Sequence, residues 1–228
     1  MHAGMPRPSA VVFDVIETLF PLEPLRAPLS ALGLAPGDLD LWFTRILRDA
    51  FALDASGTFL PFREVARGAL EVLLAQRGIA ADAAAVDRVL DGFKTLDAAP
   101  DVAPAFRRLA DAGVAIATLS NGGVASTRAL LDRAGLQPLV ARVMGVDEIR
   151  RYKPGREIYL HAARSLGAPP ARLALVAVHA WDVEGAKRAG FTTGWCARLE
   201  RRFHPAMTPP DVSGPDLLAV ADGLLALA

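Results

Sequence analysis

The sequence predicts an α/β protein: a parallel sheet flanked by helices, into which an all-helical segment is inserted. Three observations carry this. The short apolar run Val11-Val12-Phe13 reads as a fully buried strand, and it ends on Asp14. From Leu25 to Phe93 the apolar residues recur only at helical spacing, with no strand pattern between them. From Val102 onward strand-like and helix-like stretches alternate at the lengths of βαβ units, which require parallel strands and right-handed crossovers.

Each element has its own signal. Leu25, Leu29 and Leu32 recur at helical spacing, and Gly33 closes that segment. Leu39, Trp42, Phe43, Ile46, Leu47, Ala50 and Phe51 form a second helix, too apolar for one buried stripe, which is expected to face both its own bundle and something outside it. A third helix is expected over about 62–76, with Val65, Leu70, Val72 and Leu73 inward, and a fourth over about 83–93. Helices without intervening strands make a small bundle. Further on, helices are expected over 102–112, 124–134, 156–166, 181–189 and 217–227, and strands over 114–119, 139–146, 173–178 and, last, 192–197. Gly113, Gly135 and Gly190 end helices. The expected division is a discontinuous core over 1–20 and 100–228 and a helical domain over 21–99, hinged near Pro21 and Pro100.

Bulk properties narrow the function classes. With 228 residues, 52% apolar and 22% charged, the chain is long enough for a core and a small second domain, and it is not of disordered composition. Lys plus Arg (25) balances Asp plus Glu (25), so no excess charge points to a nucleic-acid or anionic-membrane partner. No apolar run is long enough to span a bilayer, and the opening MHAGMPRPSA lacks the apolar segment of a signal peptide. Cys196 is the only cysteine, which excludes an intrachain disulfide and a cysteine metal cluster and fits a cytoplasmic location.

Taken singly, the polar motifs have ordinary readings. Asp14 at a strand end is a turn residue or, equally, a ligand-binding carboxylate at the edge where α/β sheets bind ligands. Ser120-Asn121-Gly122-Gly123, between a strand and a helix, offers hydroxyl, amide and backbone N–H donors to an anion, or is simply a turn. Lys153 is a surface lysine by default, and Asp182 a helix cap. Taken together, Asp14 and Thr18, then TLSNGG (118–123), YKPGREIY (152–159) and VAVHAWDVEGAKRAG (176–190), resemble in order and spacing the haloacid dehalogenase superfamily of hydrolases. Within it they are similar to the 2-haloacid dehalogenase branch with a helical cap, over most of the chain.

That resemblance implies a Rossmann-like core with the helical domain as a cap over the active site. It makes Asp14 a nucleophile that forms a covalent ester; a carboxylate attacks well once held in line and stripped of water. It puts Lys153 beside Asp14, keeping it ionised and binding anionic substrate. Thr18 then bonds the nucleophile or an oxyanion, Asp182 pairs with Lys153 or orients water, and Tyr159 belongs to the site. The resemblance implies a small anionic substrate and no cofactor, and leaves a homodimer open.

Departures from the family pattern refine this. The phosphatases of the superfamily carry a second Asp where this chain has Ile16, and an acidic magnesium ligand where it has Val178. Hard cations need oxygen ligands, so metal-independent carbon–halogen cleavage is expected. The dehalogenase branch has Tyr at the position of Ile16 and Gly at that of Glu17. Its Arg on the second cap helix falls at Phe43, with Arg45 and Arg48 on other faces, so the clamp is incomplete and the substrate is expected to be larger, more apolar or different in kind. Its Ser and Asn of the fourth motif are Ala177 and His179 here, while Ala180-Trp181-Asp182 is kept. His179, at the end of a core strand, is expected to activate water in place of that Asn; a structural donor is its other reading. The expected catalytic set is Asp14, Thr18, Ser120, Lys153, His179 and Asp182, with Ile16, Phe43, Asn121, Tyr159 and Trp181 against substrate. No metal ligand is expected. His2, His161, His204 and Cys196 are read as structural. A magnesium-dependent phosphatase and a scaffold without catalysis are the competing readings.

Overall fold

The computed structural model describes residues 5–228, so His2 lies outside the described residues. Strands β1 (Ala10–Phe13), β2 (Ala115–Ser120), β3 (Arg142–Gly145), β4 (Leu173–Ala177), β5 (Thr192–Cys196) and β6 (Val212–Gly214) form a parallel sheet in the order β3-β2-β1-β4-β5-β6. β1 and β4 are buried along their whole length, as strands covered on both faces must be, which is why they read as unbroken apolar runs. The chain winds from β1 to one side through β2 and β3, then to the other through β4, β5 and β6. Phe13 pairs with Thr118 on one side and Val176 on the other. The segments leaving β1, β2 and β4 therefore emerge together at the point where strand order reverses, the position at which such sheets bind ligands.

Helices α5 (Val102–Asp111), α6 (Val124–Arg133), α7 (Arg156–Ser165), α8 (Ala180–Arg188) and α9 (Leu217–Leu225) belong to the sheet, with α5 packed on α9 and α7 on α8. Between β1 and α5 lie α1 (Arg26–Ala31), α2 (Asp38–Ala55), α3 (Phe62–Gln76) and α4 (Ala83–Asp91). The helix α2 has the two apolar faces its sequence demands. Trp42 and Ile46 are fully buried, and the Trp42 indole donates to the Ala66 carbonyl on α3 at 2.9 Å. Phe43, Leu47 and Phe51 instead turn toward the strand ends.

Three expectations are corrected. Val72 is 51% exposed; the buried stripe of α3 is Val65, Ala66, Ala69, Leu70, Leu73 and Leu74, which follows the 3.6-residue period that Val72 breaks. β5 is not the last strand. β6, three residues between Pro210 and Pro215, is too short to show a period, and it is brought to β5 by Asp211, whose carboxylate accepts from the Thr193 backbone at 2.9 Å. β3 begins at Arg142 rather than at 139, because Gln137–Leu139 form a tight 3-10 turn around Pro138. Cys196 is buried in β5, and burial raises its thiol pKa, in keeping with core filling. Among the described residues, no helix is long and apolar enough to cross a membrane.

Candidate active site

Where β1, β2 and β4 end, the side chains of five expected residues, Asp14, Thr18, Lys153, Tyr159 and Asp182, meet at hydrogen-bond distance. Lys153 Nζ lies 2.7 Å from Asp14 Oδ1 and 2.6 Å from Asp182 Oδ2, and it donates to the Leu119 carbonyl at 3.0 Å. All three ammonium hydrogens are thereby engaged. The segment carrying Lys153 is anchored by its own backbone N–H, which donates to Asn121 Oδ1 at 2.9 Å. Thr18 Oγ1 donates to Asp14 Oδ2 at 2.6 Å and accepts from the Val178 N–H at 3.1 Å, so one hydroxyl ties the turn after β1 to the end of β4. Tyr159, reaching across from α7, donates to Asp182 Oδ1 at 2.6 Å. That approach requires Gly185 on α8: a Cβ there would stand 2.6 Å from the Tyr159 hydroxyl oxygen.

Charge in this cluster is set by pairing against burial. Burial opposes ionisation of Asp14, but Lys153, His179 and the Thr18 hydroxyl outweigh it and hold its pKa below the ordinary value. Burial likewise opposes the charge on Lys153, and Asp14 and Asp182 overcome it, so the ammonium persists. For Asp182 burial prevails, reinforced by the nearby Asp14 charge, and its pKa is raised. Burial also keeps Tyr159 protonated, and so able to donate. The result is an ionised, desolvated Asp14 beside a fully buried cation.

Asp14 borders a niche of about 10 Å³ that Ile16, Phe43, Ser120, Asn121, His179 and Trp181 also line, together with Leu47 and Phe62, which the sequence reading did not single out. Phe43 thus stands over the nucleophile. Arg48 borders only a larger outer chamber, and Arg45 borders neither space. The loop after β2 departs from expectation in part. Its Gly122 N–H donates to Ser120 Oγ at 2.8 Å, and both carboxylate oxygens of Asp147 lie 3.3 Å from the Val124 N–H at the start of α6. Two of the loop's backbone donors are thus engaged, while the Asn121 and Gly123 N–H groups have no acceptor among the described residues. The loop also keeps the Ser120 hydroxyl hydrogen and the Asn121 amide, whose buried Nδ2 has no protein partner among the described residues.

His179 precedes α8, with its ring stacked near Trp181 and Phe43 at centroid distances of 5.3 and 6.3 Å. Its Nε2 lies 3.1 Å from Glu17 Oε2, close enough for an ion pair though not aligned as a hydrogen bond, and Nδ1 lies 3.9 Å from Glu200 Oε1. Burial would lower the pKa of His179, but Glu17, Asp14 and Asp182 raise it. Glu17 adopts a left-handed backbone with φ of +67°. With Leu47 and Phe62, Glu17 and Glu200 are site residues that sequence reasoning missed. For Glu17 a signal existed, a charged residue where the resemblance puts glycine.

The donor set does not fit a divalent metal ion. Lys153 Nζ fills the space between the Asp14 and Asp182 carboxylates, and Ile16 and Val178 bring no side-chain oxygen. Among the described residues no other cluster of His, Cys, Asp and Glu could hold one.

Residues 8–190 match the model of the haloacid dehalogenase-like hydrolase family. The chain belongs to that family. Among curated proteins, this hydrolase is 30% identical to (S)-2-haloacid dehalogenase 1 of Pseudomonas sp. (strain CBS-3), over 88% of this chain and 89% of that one. It is 27% identical to the (S)-2-haloacid dehalogenase of Pseudomonas sp. (strain YL), over 93% and 92%. Among solved structures, the L-2-haloacid dehalogenase of Xanthobacter autotrophicus with chloropropionic acid covalently bound superimposes with a TM-score of 0.89 at 26% identity, covering 97% of this chain and all of that one. The Rossmann-like α/β fold is shared with these dehalogenases, and this protein is a hydrolase of their kind.

Proposed function

We propose that this hydrolase breaks a carbon–halogen bond adjacent to a carboxyl group, through a covalent ester on Asp14 and without a metal ion. The observation that carries the reading is the state of Asp14: buried, ionised, held by Lys153 and Thr18, and bordering a niche walled by Ile16, Phe43, Leu47 and Phe62. A desolvated carboxylate in an apolar niche is the nucleophile such a displacement needs. The relatives named (S)-2-haloacid dehalogenase, and the covalent chloropropionic acid complex of the Xanthobacter protein, support the same chemistry.

In the first step an Asp14 oxygen forms a bond to the halogen-bearing carbon, and the halide departs with the bonding electron pair. Halide leaves without a proton, so the absence of an acid at Ile16 costs nothing. Once Asp14 is an uncharged ester, its repulsion on Asp182 ends, and Lys153 pairs with Asp182 alone. In the second step water attacks the ester carbonyl carbon. His179, bordering the same niche, takes the water's proton, while Lys153 and Thr18 stand at the oxygens on which negative charge develops. The bond from the carbonyl carbon to the substrate oxygen then breaks as His179 returns its proton to that oxygen, releasing a hydroxy acid, and Asp14 gives the remaining water proton to solvent and is restored as the carboxylate.

The test is a single turnover in ¹⁸O-water with enzyme in excess over 2-bromopropionate. The expected result is unlabelled hydroxy acid and one ¹⁸O in the Asp14 peptide. Label appearing directly in the first-turnover product, with none in the protein, overturns the covalent reading.

A further inference from the structure

The niche at Asp14 does not stand alone. Outside it lies a chamber of about 590 Å³, and Phe43, Leu47, His179 and Trp181 border both spaces. Phe51 and Leu199 complete the chamber's apolar wall, and Phe51 meets Trp181 edge-on at a centroid distance of 5.1 Å. Leu199 is 45% exposed, a large apolar side chain at the chamber rather than in the core.

The charges on the wall are already partnered within the protein. Glu17 faces His179 at 3.1 Å, Glu200 accepts from the Ala180 N–H at 3.0 Å, Arg48 pairs with Asp49 at 2.7 Å, and Asp40 faces Arg26 at 3.3 Å. What the chamber offers a ligand is mostly apolar and aromatic surface, with the exposed Arg48 guanidinium at its wall. The niche, at about 10 Å³ on a measure where ~10–15 Å³ holds a single water, has room for about one small group, so a longer substituent on the reacting carbon has to extend outward past Phe43 and Trp181.

We propose that the substrate is a 2-haloacid bearing an extended apolar tail, an alkyl chain or an arylalkyl group, which lies in this chamber while the reacting carbon meets Asp14. The proposal rests on the dehalogenase reading of the site and adds to it the part of the substrate that supplies binding. The tail takes over the anchoring that a guanidinium at Phe43 would give a short acid, since each buried methylene strengthens binding by about fourfold, the factor equivalent to ~0.8 kcal/mol.

Two measurements on the full chain test this separately from the chemistry. Affinity for halogen-free, straight-chain carboxylates from propionate to octanoate, measured by calorimetry, is expected to rise by about threefold to fourfold per methylene. Halide release from 2-bromo acids of the same lengths, and from 2-bromo-3-phenylpropionate, is expected to show kcat/KM rising in parallel. Rising affinity with no halide from any member supports the tail site and removes the dehalogenase reading. Halide release from every length with a flat affinity series keeps that reading and overturns the tail. Thr44, on the chamber wall but not at the niche, provides the control for location. Thr44→Trp is expected to bring the ratio of long-chain to short-chain affinity close to one without lowering the Tm. A ratio unchanged from wild type means that the tail does not lie in this chamber, and sinks the proposal.

Discussion

Glu17 Oε2, on the turn after β1, stands 3.1 Å from His179 Nε2, at the end of β4, and both residues border the chamber outside Asp14. At both positions this chain departs from the dehalogenase pattern, and the two departures meet in space. Holding Glu17 at φ +67° costs about 1–2 kcal/mol relative to a glycine.

The pair sets a pH dependence with a definite sign. A base must be neutral, and Glu17, Asp14 and Asp182 raise the pKa of His179 above 6.5, with Glu200 facing its other nitrogen. Rates limited by ester breakdown should therefore climb as pH rises through the pKa of His179, which Glu17 and Asp182 still raise in the ester, where the Asp14 charge is gone. Glu17→Gln removes one support of the imidazolium, so the climb should move to lower pH. His179→Asn should abolish the climb and let the adduct on the Asp14 peptide accumulate, visible by mass spectrometry. Normal turnover of His179→Asn with no adduct would reduce His179 to a structural donor and leave Asp182 as the base.

Lys153 is the keystone of the buried charges. Lys153→Met leaves Asp14 and Asp182 facing each other without a cation, and breaking a buried ion pair from one side costs about 3–5 kcal/mol. Denaturant unfolding should register that loss. In the variant that still folds, burial of Asp14 is no longer opposed by Lys153, its pKa rises, and the low-pH limb of activity should move upward. Stability and pH profile both equal to wild type would contradict the geometry of the cluster.

Phe43 turns an apolar ring toward the nucleophile. A carboxylate buried there without a charged partner costs several kcal/mol, so a short haloacid should bind weakly. Phe43→Arg should improve kcat/KM for 2-chloropropionate by roughly tenfold, the equivalent of about 1.4 kcal/mol. Efficient turnover by wild type together with harm from Phe43→Arg would show that no cation is missing at this position.

Metal independence is checked directly. Because Lys153 fills the space between the two carboxylates, halide release should be the same with and without a strong chelator. Loss on chelation, restored by Mg²⁺, would return the phosphatase reading to consideration.

The sequence by itself determined five of the six strands, the helical insertion and the motif residues at the strand ends, because each of these is written in neighbouring residues. Val11-Val12-Phe13 is apolar throughout because both faces of its strand are covered, and α2 carries apolar residues on two faces because it serves both the bundle and the site. Asp14, Thr18, Lys153, Tyr159 and Asp182 were legible as a set only through the resemblance of their motifs, in order and spacing, to the haloacid dehalogenase superfamily. The tertiary structure decided the rest. Val72 points outward because the phase of α3 is set by what it packs on, and β6 exists because Asp211 ties it to Thr193. Asp147 occupies the start of α6, Glu17 meets His179, and the chamber opens beside Phe43, through contacts between segments far apart in the chain. Local periodicity specifies which face of an element is buried, but the register of parallel strands and the closure of the helices over them select which side chains meet there.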